Sequence, residues 1–143
     1  MSFFAFVDIQ VYFRKIKSNI VLILFGFVHV SITTGELISS DEAVKLSRLI
    51  VAQGSLDPSF GQYFYEAGPK RVLAGMEALL RGAHERGLLR IDNPLRAAEH
   101  FFCLVKGAPD YRLLLGCAGP LQSDAAEAHV REVVGVFLRA FQP

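Results

Sequence analysis

A chain of 143 residues is long enough to bury a core and is about the size of one domain. Its formal charge of +1 and its lack of a basic block beyond the short cluster Arg14, Lys15 and Lys17 argue against nucleic-acid binding by this chain alone, because phosphate neutralisation needs a basic surface. Hydrophobic residues make up 52% and charged residues 20%, so the chain is more apolar than an average soluble domain and some of that surface needs a cover beyond one monomer's fold.

At the N-terminus, Arg14, Lys15 and Lys17 precede the apolar run from Ile20 to Val30, an order that imitates a signal peptide. The imitation is incomplete: phenylalanines come before the charges, His29 interrupts the run, and Ser31 to Gly35 offers no small-x-small cleavage site. The run is also about half of the roughly 20 residues a bilayer needs. A buried helix, a membrane or signal segment, and a start foreign to the rest of the fold all remain open for residues 1–35, read as a partly helical apolar segment.

From Ser39 onward the punctuation is helical. Ser39, Ser40, Asp41 and Glu42 supply cap residues and early acids, and a helix is expected from Asp41 to about Gln53. Its apolar positions Ala43, Val44, Leu46, Leu49, Ile50, Val51 and Ala52 cover more than one stripe, which predicts a central helix enclosed on several sides. Asp57-Pro58 places a capping acid before a proline at the first helical position, so a short helix should run to about Ala67. Gly68-Pro69 breaks or kinks it. The next helix, from Pro69 to Arg86, carries Val72, Leu73, Met76, Leu79, Leu80 and Ala83 on one face, with Gly87 as its stop.

Asp92-Asn93-Pro94 repeats the cap-then-proline signal, and Ala97, Ala98, Phe101, Phe102, Val105 and Ala108 mark the face of the following helix. Pro109 should end or bend it, with a further helical turn or two from Asp110 to Leu115 before Gly116. Ser123-Asp124 starts a last helix whose Ala126, Val130, Val133, Val134, Phe137, Leu138 and Phe141 form a single stripe. The one β-like run, residues 27–33, is short and isolated, so an all-α helical bundle is expected over residues 36–143.

Few of these residues suggest chemistry. His29, His84, His100 and His129 contain no pair spaced to place two ligands on one helical face, which argues against a metal site. His84 and His100 read either as cavity-lining or as ordinary half-buried histidines. Cys103 and Cys117 lack metal or redox spacing and read as buried thiols in a reducing compartment, with a disulfide as the alternative. There is no phosphate-binding glycine loop and no nucleophile elbow, and the chain is read as a cytoplasmic non-enzyme needing no cofactor. Phe60, Tyr63, Phe64 and Tyr65, four aromatics in six residues, point either to a pocket for an apolar ligand or simply to core.

The stretch from Arg48 to Ala52, then Pro58 and Phe60, then Phe64-Tyr-Glu-Ala-Gly-Pro69, resembles the regulatory domain of TetR-type transcriptional repressors. Ala83 to Pro94, leading into Ala97-Ala98 and Phe101-Phe102, and the closing helix Ala126 to Phe141 resemble the same family. The resemblance implies a helical effector-binding domain that forms a homodimer through its last two long helices. On that basis the partner-facing residues are expected to be Ala98, Phe102, Val105, Val130, Val134, Phe137 and Phe141. It also implies a small apolar effector within the bundle, for which position and chemistry select Phe60, Tyr63, Phe64, Met76, Leu80, His84 and Phe101.

Members of that family carry an N-terminal helix-turn-helix reader, and too few residues precede the regulatory part here to hold one. Tyr12-Phe13 with Lys15 and Lys17 resembles the end of such a reader but stands too close to Tyr65 for the family's layout. DNA contact is therefore expected only through an intact family partner, in a mixed dimer. A membrane-associated helical protein anchored by Phe3 to Val30 is the alternative to this soluble, membrane-free reading.

Overall fold

The computed structural model describes residues 41–143, which form five helices and, among the described residues, no strand. The expectations for the apolar segment 1–35, the domain boundary after it, the β-like run 27–33 and the caps at residues 39 and 40 fall outside the described residues. Helix α1 is Asp41–Gly54, α2 is Pro58–Ala67, α3 is Pro69–Glu85, α4 is Pro94–Leu115 and α5 is Ser123–Ala140. No helix among them is long and apolar enough to cross a membrane.

Local chemistry sets these boundaries. Asp57 accepts from the Ser59 amide at 3.0 Å and from its hydroxyl at 2.6 Å, capping α2 ahead of Pro58. Gly68 separates α2 from α3 with a non-helical backbone, and Pro69 opens α3. After α3 the chain turns through Gly87 at φ 68°, where the Leu88 amide returns to the Ala83 carbonyl at 2.9 Å. Asn93 caps α4 by accepting from the Arg96 amide at 3.0 Å. Gly116, at φ 75°, closes α4 in the left-handed conformation that glycine adopts without steric cost.

The core lies between α3, α4 and α5. Leu73, Met76, Leu80 and Ala83 from α3 meet Ala97, Ala98 and Phe101 from α4 and Val130, Val133, Val134 and Phe137 from α5, with Leu89 and Ile91 of the α3–α4 connection completing the cluster. Phe137 is its largest fully enclosed side chain. It meets Phe101 edge to face at 5.0 Å between centroids and Phe141 at 4.6 Å in a tilted pair. The C-terminus is tied back by the Arg90 amide, which donates to the Phe141 carbonyl at 2.9 Å.

Among the described residues, helix α1 is not enclosed as the central helix its composition predicts. Val44 and Ile50 are buried, whereas Leu46, Leu49 and Val51 are exposed. The helix packs chiefly on α2, where Gly54 and Gly61 let the two backbones approach, and it reaches the end of α4 through Arg48. An apolar sequence on several faces says that much of a helix is greasy, not that the described chain surrounds it.

Candidate functional site

Between α1 and α2 lies an open cleft of about 330 Å³, lined by Leu49, Gln53, Asp57 and Phe60. Leu49 and Gln53 share one face of α1 because they are four residues apart. Phe60 stands in the first turn of α2, beside the Asp57 cap. The cleft is apolar on its Leu49 and Phe60 sides and polar where Gln53 and Asp57 enter it. The Ser59 hydroxyl bonded to Asp57, aided by the Ser59 amide, holds the carboxyl below its ordinary range, so the rim carries a fixed negative charge. An aromatic or aliphatic molecule that is neutral or cationic suits such a lining better than an anion.

The seven residues expected to line a ligand pocket do not converge. Phe60 lines the cleft. Tyr63 and Phe64 are exposed on α2, a helix with no buried residue, so among the described residues the aromatic run forms neither core nor a closed pocket. Met76, Leu80 and Phe101 are packed in the hydrophobic core. His84 turns to the α3–α4 connection, where its Nδ1 accepts from the Ile91 amide at 3.3 Å. That bond leaves Nε2 carrying the proton of the neutral ring, while contact of Nδ1 with the Leu89 carbonyl, also 3.3 Å away, is open only to the other tautomer. His100 is exposed.

The expected partner-facing residues also sort differently. Ala98, Val130, Val134 and Phe137 are buried within the chain's own core, and Phe102, Val105 and Phe141 are half-buried against it. The stripes of α4 and α5 therefore face each other and α3 in one subunit. Exposed apolar side chains remain on other sides of the same helices, among them Leu104, Tyr111 and Leu115 on α4 and Val136 on α5. Cys103 and Cys117 are free and exposed, not the buried thiols their apolar neighbours suggested.

Sequence reasoning passed over Leu49, Gln53 and Asp57 as cleft residues, because the cleft arises from how α1 and α2 cross. It also passed over two long-range contacts. Arg48 on α1 donates through Nε to the Leu114 carbonyl at 3.0 Å and through Nη2 to the Leu113 carbonyl at 2.9 Å. His129 on α5 donates through Nε2 to the Val105 carbonyl at 2.9 Å, a direction dictated by an acceptor that has no proton to give. The signal for the second lay in Pro109, whose missing amide would otherwise serve Val105.

The family model for the C-terminal domain of AefR-like transcriptional repressors matches residues 30–143. No curated protein matches the chain. Among solved structures, a TetR-family transcriptional regulator from Mesorhizobium loti is similar at 24% identity and a TM-score of 0.73, over 86% of this chain and 64% of that one. The flavonoid-responsive regulator FrrA is similar at 24% identity and a TM-score of 0.75, over 98% of this chain and 72% of its own. A TetR transcriptional regulator from Agrobacterium tumefaciens shares 22% identity with a TM-score of 0.68, over 96% of this chain and 70% of its own. The chain thus spans about two thirds of the length of these structures, and likenesses at such identity establish a common helical fold. Together with the family match over most of its length, they establish that this chain belongs to the TetR family of transcriptional regulators, as an AefR-like C-terminal regulatory domain.

Proposed function

We propose that this chain is a regulatory domain that forms a homodimer through the outer sides of α4 and α5 and takes a small apolar effector in the α1–α2 cleft, without catalysing a reaction. TetR-family regulators act as homodimers that bind small-molecule effectors and DNA. The family match over residues 30–143 carries the reading. The expected interface moves from the inward stripe to the uncovered Leu104, Tyr111, Leu115 and Val136, since the inward side chains are already packed. The expected pocket keeps Phe60 and acquires Leu49, Gln53 and Asp57. Contact with DNA is assigned to the reader of an intact family partner in a mixed dimer, and the working compartment is the cytoplasm.

An effector acts in this scheme by binding one arrangement of the dimer more tightly than another, so its influence is limited by that difference in affinity. The negative rim at Asp57 disfavours an anion and leaves a neutral or cationic apolar ligand. A flavonoid is a natural first probe because FrrA is flavonoid-responsive. Size-exclusion chromatography with light scattering should give twice the chain mass, and Val136→Asp and Leu104→Asp should shift it toward the monomer. Naringenin, followed by tyrosine emission, and the neutral dye Nile red should bind saturably. Phe60→Ala and Leu49→Ala should weaken that binding by about fivefold or more, the loss of one apolar wall contact. A monomer at all concentrations would refute the dimer, and probe binding indifferent to Phe60 and Leu49 would refute the cleft.

A further inference from the structure

Charge around the α1–α2 cleft is lopsided. From Leu49 to Pro69 the chain carries two acids, Asp57 and Glu66, and no lysine, arginine or histidine. The nearest bases in sequence are engaged elsewhere: Arg48 donates to the Leu113 and Leu114 carbonyls of α4, and Lys70 pairs with Glu66 at 3.5 Å. Asp57, which lines the cleft, has no ion-pair partner among the described residues. Both bonds from Ser59 end on its Oδ1, so the carboxylate keeps acceptor capacity for a ligand.

The sign of the local field follows. A helix N-terminus carries roughly +0.5 charge, which offsets only about half of the Asp57 carboxylate that caps it. What remains is negative, so an anion that a bare helix end would attract is turned away and a cation is drawn in. Phe60 adds a second attraction for the same kind of ligand, because the face of an aromatic ring is electrostatically negative. Tyr63 and Phe64, three and four residues further on, are its neighbours on the surface of α2 and are exposed. Leu49 supplies an apolar wall from α1.

We propose that the α1–α2 cleft selects a cationic apolar molecule, an organic ammonium on an aromatic or aliphatic body, whose charge sits beside Asp57 and whose body lies against Leu49 and Phe60. This choice of ligand charge rests on the cleft being the effector site, and it narrows that site from apolar molecules in general to one charge class. None of these residues belongs to the α4–α5 surface assigned to the dimer, so ligand and partner subunit do not compete for the same side chains.

Fluorescence titration of the full chain with three dyes of one skeleton provides the test: diphenylhexatriene, its trimethylammonium derivative and its propionic acid derivative, all of which brighten on leaving water. Exposed ion pairs and cation–π contacts each contribute roughly two- to fivefold in affinity, so the ammonium dye should bind about tenfold more tightly than the neutral one, and the acid more weakly than either. Raising the salt from roughly 0.01 M to 1 M shortens the Debye length from about 30 Å to 3 Å and should shrink the advantage of the ammonium dye over the neutral dye. Asp57→Asn keeps a capping oxygen for the Ser59 amide and removes the charge, so it should weaken the ammonium dye by roughly two- to fivefold and leave the neutral dye unchanged. Glu66→Gln, at the other end of α2, should leave the ranking intact, and Phe60→Leu, which keeps an apolar wall without a ring, should reduce the preference that survives Asp57→Asn. Equal affinity for the ammonium and neutral dyes would overturn the cationic assignment and leave the cleft as the effector site, as would a preference unmoved by both Asp57→Asn and salt, or one that falls as far in Glu66→Gln as in Asp57→Asn. No saturable binding of any dye, or binding of all three indifferent to Phe60→Ala and Leu49→Ala, would overturn the effector reading and the cationic assignment with it.

Discussion

Truncating Phe137 to alanine separates two roles for the stripe on α5. The side chain is 1% exposed and packed against Phe101 and Phe141, so Phe137→Ala removes a full aromatic ring from inside one subunit and leaves a cavity. Changes of that type cost about 3–5 kcal/mol, a large share of the roughly 5–15 kcal/mol that stabilises a domain. With a urea dependence of roughly 2 kcal/mol per M, the unfolding midpoint should fall by about 2 M. Far-ultraviolet circular dichroism at two protein concentrations about tenfold apart distinguishes the roles, because an associating chain unfolds at a midpoint that depends on concentration. The variant should lose stability and keep the wild-type dependence on concentration. Val136→Ala, on the outward side and 41% exposed, should do the reverse. A cost below about 1 kcal/mol for Phe137→Ala, the range of ordinary surface changes, or a loss of association with subunit stability intact, would refute the packing argument.

Two further perturbations probe the backbone and the cleft. Gly107→Ala should destabilise the chain by about 1–3 kcal/mol through conformational strain alone. Steric crowding adds little, since the new Cβ would meet Pro109 Cδ at 3.6 Å and His129 Cε1 at 3.8 Å, both ordinary contacts. Thermal unfolding measures the cost, and an unchanged melting temperature would show that Gly107 does not hold the left-handed turn. Asp57 has a carboxyl held below its ordinary value of 3.8 by the Ser59 hydroxyl and amide. A depressed carboxylate contributes stability above its unfolded value and loses it as pH falls through the lower folded value. The urea midpoint of the wild type should therefore decline more steeply on acidification through that range than that of Asp57→Asn, and parallel pH profiles would contradict the cap.

Element positions were legible because their determinants are local. Asp57-Pro58, Gly68-Pro69, Asn93-Pro94 and Gly116 each act on hydrogen bonds and dihedral angles within a few residues, and the helices begin and end beside them. The bend expected at Pro109 occurs at Gly107, two residues earlier, where the missing side chain permits the turn.

Periodicity alone could not say what covers an apolar stripe. The spacing of Val130, Val134 and Phe137 predicts one buried face on α5, and that face is buried, but by α3 and α4 of the same subunit. The aromatic run at Phe60 to Tyr65 read as pocket or core by composition and lies outside the core, because α2 packs on α1 and α3 without burying any of its own residues. Partners far apart in the chain were equally hidden: Pro109 announces an unserved carbonyl, yet only the approach of α5 determines that His129 answers it. Capping and chain stiffness act over one helical turn and can be read in order along the sequence. Burial and long-range donors depend on which helices meet, and that is decided by the tertiary fold.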